Sequence, residues 1–291
     1  MISGYIAAIV TPFSDGKVDI ESFKKYLSFL ADSKISGVVV CGSTGESLSL
    51  SMQEKIELIK AAHRVIGGKI KLFAGVIDAA THNCLDFIKK TEEIVDGFLC
   101  ICPFRIKPSQ NQIYEHFKTI SDATKRNIIL YNNPGRVGTS IDFSTLKKLT
   151  SQKNIFAVKE CTSDLSLFST WRTELKEDFA FLSGNDDTAA AALSMGAAGV
   201  ISVTANIAPE LCGTMFSAFQ QNNLERFAVV RDALEPLHKL MFTEPSPCLI
   251  KYAMSKFGLM KEELRMPLSS ISSTLKVKID KVMRELNLET V

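Results

Sequence analysis

A chain of 291 residues stands near the upper limit for one hydrophobic core, so it is either one large barrel-like domain or two ordinary ones. With 46% hydrophobic residues, 23% charged residues and only 9 prolines, it is too apolar and too evenly mixed for a disordered or low-complexity chain. Lys and Arg number 34 against 32 Asp and Glu, and this formal charge of +2 without a like-charge block argues against nucleic acid or membrane partners and for small-molecule work.

The first apolar run, Tyr5 to Val10, is far too short to span a bilayer and has no basic residue before it. It predicts a strand rather than a membrane helix or signal peptide, and a cytoplasmic protein. Further short, β-branched runs follow at Gly37 to Cys41, Ile70 to Ala74, Gly97 to Cys102, Ile128 to Tyr131, Ile155 to Lys159, Phe179 to Leu182 and Gly199 to Val203. These eight runs lack alternation, which suits strands buried on both faces of a parallel sheet, and their spacing leaves room for a helix after each. Ile20, Phe23, Tyr26, Leu27 and Leu30 make one helical stripe, and Met52, Ile56, Ile59, His63 and Ile66 another. Ser51, Ser109 and Asp186 mark helix starts, the last with Asn185 as an N-cap before Thr188 to Met195.

Eight consecutive strand-helix units predict an α/β fold, a (β/α)8 TIM barrel, over residues 1–207. From Ala208 onward only helical spacing is found, as in Leu211, Met215 and Phe219, then Val230, Leu234, Leu237 and Met241, and finally Ile271, Leu275, Ile279, Val282, Met283 and Leu286. Residues 208–291 are therefore expected to form a helical appendix on the barrel, with no flexible linker. The seven cysteines are odd in number and the four histidines scattered, so reduced thiols and no metal site are expected.

Reactive groups of a barrel sit at the C-terminal strand ends. Four polar clusters stand there: Gly42-Ser43-Thr44-Gly45-Glu46, Tyr131 to Arg136, Lys159-Glu160 and Gly184-Asn185-Asp186-Asp187. Lys159 closes an apolar buried strand, and desolvation favours its neutral amine, the form that attacks a carbonyl to make a Schiff base. The alternative is a lysine snorkelling to the rim or paired with Glu160. Lys251 also lies among apolar residues, but its helical spacing after Pro245 and Pro247 reads as a lysine on a helix face. Gly42 to Gly45 offers bare amides and two hydroxyls to a carboxylate or phosphate, without the lysine of a P-loop, the alternative being a simple tight turn. Tyr131 reads as a proton relay or, alone, as a core tyrosine, and Arg136, in a Pro-Gly-Arg loop, as a clamp on a second carboxylate or as a solvated loop arginine. Asp186 and Asp187 diverge at a helix start, which disfavours a paired acid and base.

Gly42-Ser43-Thr44-Gly45-Glu46, Tyr131-Asn132-x-Pro134, Val158-Lys159-Glu160, Leu182-Ser183-Gly184-Asn185-Asp186 and Gly199 to Val203 together resemble the dihydrodipicolinate synthase / N-acetylneuraminate lyase family of class I aldolases. The resemblance runs from Ala8-Ile9-Val10-Thr11-Pro12-Phe13 to Glu244-Pro245-Ser246-Pro247. It implies a Schiff base between Lys159 and pyruvate, a carboxylate held by Ser43 and Thr44, proton relay by Tyr131 with Thr44, and a pocket lined by Gly184 and Ile201. Arg136 resembles the synthase branch, where this arginine binds the carboxylate of L-aspartate-4-semialdehyde. No metal or organic cofactor is implied, and the assembly implied is a homotetramer of two tight dimers.

The chain departs from the family pattern at Phe104-Arg105, where relatives usually carry two tyrosines. The second reaches across a dimer interface to complete a Tyr-Thr-Tyr relay, and a guanidinium is a poor proton shuttle because it stays charged. A sibling lyase for another 2-keto acid is thus the alternative enzyme reading, and a barrel that only binds a keto acid the non-enzymatic one. Ser43 replaces a usual threonine with its hydroxyl kept. Met52, Lys55 and Asn83, beside the retained Ser47, depart from the residues of lysine-inhibited relatives and imply weak or absent inhibition by lysine.

Overall fold

The computed structural model describes residues 2–288. In chain order the elements are β1 (Gly4–Ala8), β2 (Phe13–Ser14), β3 (Lys17–Val18), α1 (Ile20–Ala31), β4 (Gly37–Val40), α2 (Met52–Ile66), β5 (Lys71–Val76), α3 (Thr81–Thr91), β6 (Gly97–Ile101), α4 (Gln110–Asp122) and β7 (Asn127–Asn132). They continue with α5 (Pro134–Val137), α6 (Phe143–Leu149), β8 (Ile155–Glu160), α7 (Ser166–Glu174), β9 (Ala180–Ser183), α8 (Ala189–Ser194), β10 (Gly199–Ser202), α9 (Pro209–Gln220), α10 (Leu224–Met241), α11 (Cys248–Lys256) and α12 (Ser273–Glu285).

Eight of these strands close into a parallel barrel in the order β1-β10-β9-β8-β7-β6-β5-β4, the expected TIM barrel. The apolar runs give strands because they can be buried on both faces: Val38, Val39 and Val40 of β4 are wholly buried, each contributing about 1.5–3 kcal/mol. Closure falls at β1, which pairs with β10 on one side and β4 on the other. Asn206 fastens the seam, its Nδ2 donating to Ala8 O at 2.9 Å while its Oδ1 accepts from Val10 N at 3.3 Å. The antiparallel hairpin β2–β3 was not expected, because two-residue strands carry no periodic signal.

Helix starts follow their caps. Ser51 and Ser109 each make a full capping box, with Glu54 and Gln112 respectively. On α2 the buried face is Leu58, Ile59, Ala62 and Ile66, whereas His63 of the expected stripe is exposed. After β10, α9 packs on β1, while α10 packs on α9 and meets α11 and α12. No helix among the described residues is long and apolar enough to cross a membrane.

Candidate active site

The C-terminal strand ends bring the expected clusters to one rim: β4 leads into Gly42 to Glu46, β7 into Asn133 to Arg136, β8 ends on Lys159-Glu160, and β9 leads into Gly184 to Asp187. In register, Lys159 lies between Tyr131 of β7 and Leu182 of β9. It is 5% exposed, and its Nζ stands 4.4 Å from the centroid of the Tyr131 ring. No acid pairs with it among the described residues.

Successive strand side chains leave on opposite faces, so Glu160 turns away from Lys159 and the expected alternative pairing does not form. Its carboxylate accepts from Asn132 Nδ2 at 2.7 Å, and burial pushes it up to about 7 against those stabilising hydrogen bonds. Cys161, two residues beyond Lys159, does share its face. Burial raises this thiol, against the opposing pull of the Lys159 and Arg136 charges. A period-two reading from Lys159 would have found Cys161; the sequence analysis took it only as a reduced thiol.

Gly184 is required by close approach. A Cβ there would stand 2.2 Å from Cys161 Sγ and 2.9 Å from Lys159 Cε, and the Gly184 amide donates to Glu160 O at 2.7 Å. Ile201 is wholly buried on the neighbouring β10, one residue past the Val200–Ser183 pair. Tyr131 is buried, and its hydroxyl accepts from Asn133 Nδ2 at 3.2 Å.

The loop after β4 is a tight double turn. The amides of Gly45 and Glu46 close on Gly42 O and Ser43 O at 3.1 Å each, and Thr11 Oγ1 donates to Gly45 O at 2.7 Å. The amides of Ser43 and Thr44 have no hydrogen-bond partner among the described residues, the arrangement a carboxylate needs. Thr44 is buried and Ser43 half-buried, the latter opening on a cavity of about 360 Å³ with Ser47, Ile101, Phe104, Arg136 and Ser246. Lys159 and Tyr131 are not part of that cavity's wall. Arg136 sits on the one-turn helix α5, where a loop was expected; Pro134 starts the turn and Asn133 caps it by accepting from Arg136 N at 3.1 Å. The turn places the exposed Arg136 on the cavity wall. Phe104 lines the cavity, whereas Arg105 is exposed with φ of 71°.

Two expectations are corrected. Asn185 and Asp186 do not cap α8. Asn185 Nδ2 donates to Thr162 O at 3.0 Å, and buried Asp186 accepts from Ser202 Oγ and from the amides of Val203 and Thr204 at 2.8 and 3.0 Å. Asp186 thus secures the turn after β10, because three donors there outbid a helix end. Lys251 lies on α11 as expected, yet it is wholly buried instead of lying on an open helix face. Its Nζ pairs with Glu46 Oε1 at 2.6 Å, and burial lowers it to about 8 despite that acid. No group of three His, Cys, Asp or Glu side chains among the described residues is placed to hold a metal.

With this geometry in hand, comparison with known proteins is decisive: the profile of the Dihydrodipicolinate synthetase family matches residues 1–286. The chain belongs to that family. It is 36% identical over 289 residues to a 4-hydroxy-tetrahydrodipicolinate synthase of Thermodesulfovibrio yellowstonii, covering 99% of both chains. The solved dihydrodipicolinate synthase of Aquifex aeolicus superposes with a TM-score of 0.96 at 34% identity, covering 99% of both. The chloride-inhibited enzyme of Acinetobacter baumannii, solved with pyruvate, gives 0.95 at 31% identity, covering 99% of this chain and 100% of that one. The chain is accordingly an enzyme of the lyase class, which removes the reading of a barrel that only binds.

Proposed function

We propose that this enzyme condenses pyruvate with L-aspartate-4-semialdehyde through an imine on Lys159, as a 4-hydroxy-tetrahydrodipicolinate synthase of the cytoplasm. The observation that carries the reading is Lys159 itself, buried near the end of β8 with no acid against it and its amine over Tyr131. A lysine held so is a nucleophile rather than half of an ion pair.

The neutral amine attacks the pyruvate carbonyl carbon, and the resulting hydroxyl leaves as water once protonated. Loss of a proton from the methyl carbon gives the enamine, whose carbon attacks the aldehyde while the aldehyde oxygen takes up a proton. The amine of the second substrate then attacks the imine carbon, closing the ring and releasing Lys159. The free amides and hydroxyls of Ser43 and Thr44 hold the pyruvate carboxylate, and Arg136 on the cavity wall holds that of the aldehyde. Tyr131, with Thr44, moves the protons, since Arg105 stays charged and cannot. Gly184 and Ile201 line the pocket, Gly184 by leaving space for the Lys159 side chain. Assembly as a homotetramer of two tight dimers is the family's reading, tested by the solution mass of the purified protein.

The test is formation of the cyclic product from the two substrates, with Lys159→Ala as the blank. Turnover that disappears in the variant supports the proposal. A well-folded wild-type protein that forms no product overturns it and points to a sibling 2-keto-acid aldolase, with Arg105 as the first difference to examine.

A further inference from the structure

The turn that carries Ser43 and Thr44 is bracketed by two strained residues. Cys41 before it and Glu46 after it both adopt left-handed conformations, with φ of 59° and 53°. Neither is a glycine, and such backbone persists only where surrounding contacts enforce it. At Glu46 those contacts are on the page. The carboxylate is buried, Oε2 accepts from Arg265 N at 3.1 Å, and Oε1 pairs with Lys251 Nζ at 2.6 Å.

Lys251 is fixed in turn. Its Nζ donates to Glu263 O at 2.6 Å and lies 3.9 Å from the centre of the Phe13 ring. The Arg265 guanidinium stacks at 4.5 Å over the same ring, donating to Ser49 O at 2.7 Å, to Gly16 O at 2.9 Å and to Glu54. The C-terminal segment thus grips both the β2–β3 hairpin and the stretch just beyond the turn. A buried ion pair contributes little net stability compared with an apolar replacement of the same shape, so its use here is geometric.

We infer that Lys251 is a positioning residue for the substrate carboxylate: paired with Glu46, it holds the strained end of the turn so that Ser43 and Thr44 present their amides and hydroxyls to pyruvate. Lys251 touches no reacting atom, and its effect passes through Glu46. The inference rests on the proposed pyruvate reading.

The experiment is borohydride trapping of the imine on purified protein across a range of pyruvate concentrations, alongside steady-state kinetics, for the wild type, Lys251→Met and Lys251→Arg. The pyruvate concentration for half-trapping and the KM for pyruvate rise about tenfold or more in Lys251→Met, with kcat within about threefold, and Lys251→Arg restores most of the loss. A merely structural role lowers the amount of active enzyme and leaves half-trapping unmoved, which would overturn the inference. Should Lys251→Met not fold, the double variant Glu46→Gln with Lys251→Met removes both charges and is expected to show the same rise; an unchanged KM there also overturns it. Wild-type protein that traps no pyruvate at all fails the function proposal itself, a result distinct from wild-type trapping with an indifferent Lys251.

Discussion

Lys159 and Lys251 are both buried, and their surroundings differ in one respect. Lys159 lies near the end of β8 with its amine over the ring of Tyr131 and no acid in contact, whereas Lys251 lies on α11 with its amine against Glu46 at 2.6 Å and a carbonyl at 2.6 Å. An ammonium held against a carboxylate is engaged in an ion pair, so its amine is committed to that partner rather than to a carbonyl. Burial therefore does not by itself make a nucleophile; burial without an acid partner leaves the amine free to become one.

The strongest way to break this contrast is at Lys159. Lys159→Ala should lower synthase turnover by at least about a thousandfold, because no other amine can take over the imine. Residual turnover near the wild-type rate, measured by product formation, would end the account. Gly184→Ala sharpens the contrast from the other side, since its methyl would meet Cys161 Sγ at 2.2 Å and Lys159 Cε at 2.9 Å. We expect kcat to fall about a hundredfold with the fold intact by circular dichroism, and the Cys161→Ala change to restore part of it. An unchanged kcat would mean that Lys159 is not held where the geometry places it.

Arg136→Ala should raise KM for the aldehyde and reduce kcat/KM about ten- to a hundredfold, the worth of a charge-assisted pair, while pyruvate trapping stays at the wild-type level. Loss of trapping in that variant would place the arginine on the wrong carboxylate. A smaller effect separates Glu160 from its neighbour. Burial lifts Glu160 from 4.5 to about 7, so the native state keeps a proton that the unfolded chain has released between those values. The associated stability, on the order of 3 kcal/mol, is present below about pH 4.5 and lost as pH rises through 7. Glu160→Gln should flatten the decline of Tm between pH 5 and 8. A Tm that rises with pH over this range and loses that rise in the variant would indicate a Glu160 paired with Lys159.

Much of this was legible in the sequence for local reasons. Apolar runs of strand length predicted all eight barrel strands, because burial on both faces leaves a strong compositional mark. Lys159 stood out as the one charged residue closing such a run, and the family resemblance pointed to Ser43, Thr44, Tyr131, Arg136, Gly184 and Ile201. What could not be read depends on partners distant in the chain. Asp186 looks like a helix cap until Ser202 and the amides of Val203 and Thr204 are brought to it. Lys251 looks like a surface lysine until Glu46, some two hundred residues earlier, is set beside it. The hairpin β2–β3 was too short to announce itself, and Cys161 was overlooked although its spacing from Lys159 already put the two on one face.

The central claim is that one of these buried lysines, and not the other, carries the imine. Borohydride reduction of the protein with pyruvate, followed by peptide mapping, tests it directly. The account predicts a single reduced adduct on Lys159 and an unmodified Lys251. An adduct on Lys251, or on neither lysine in active protein, would contradict it.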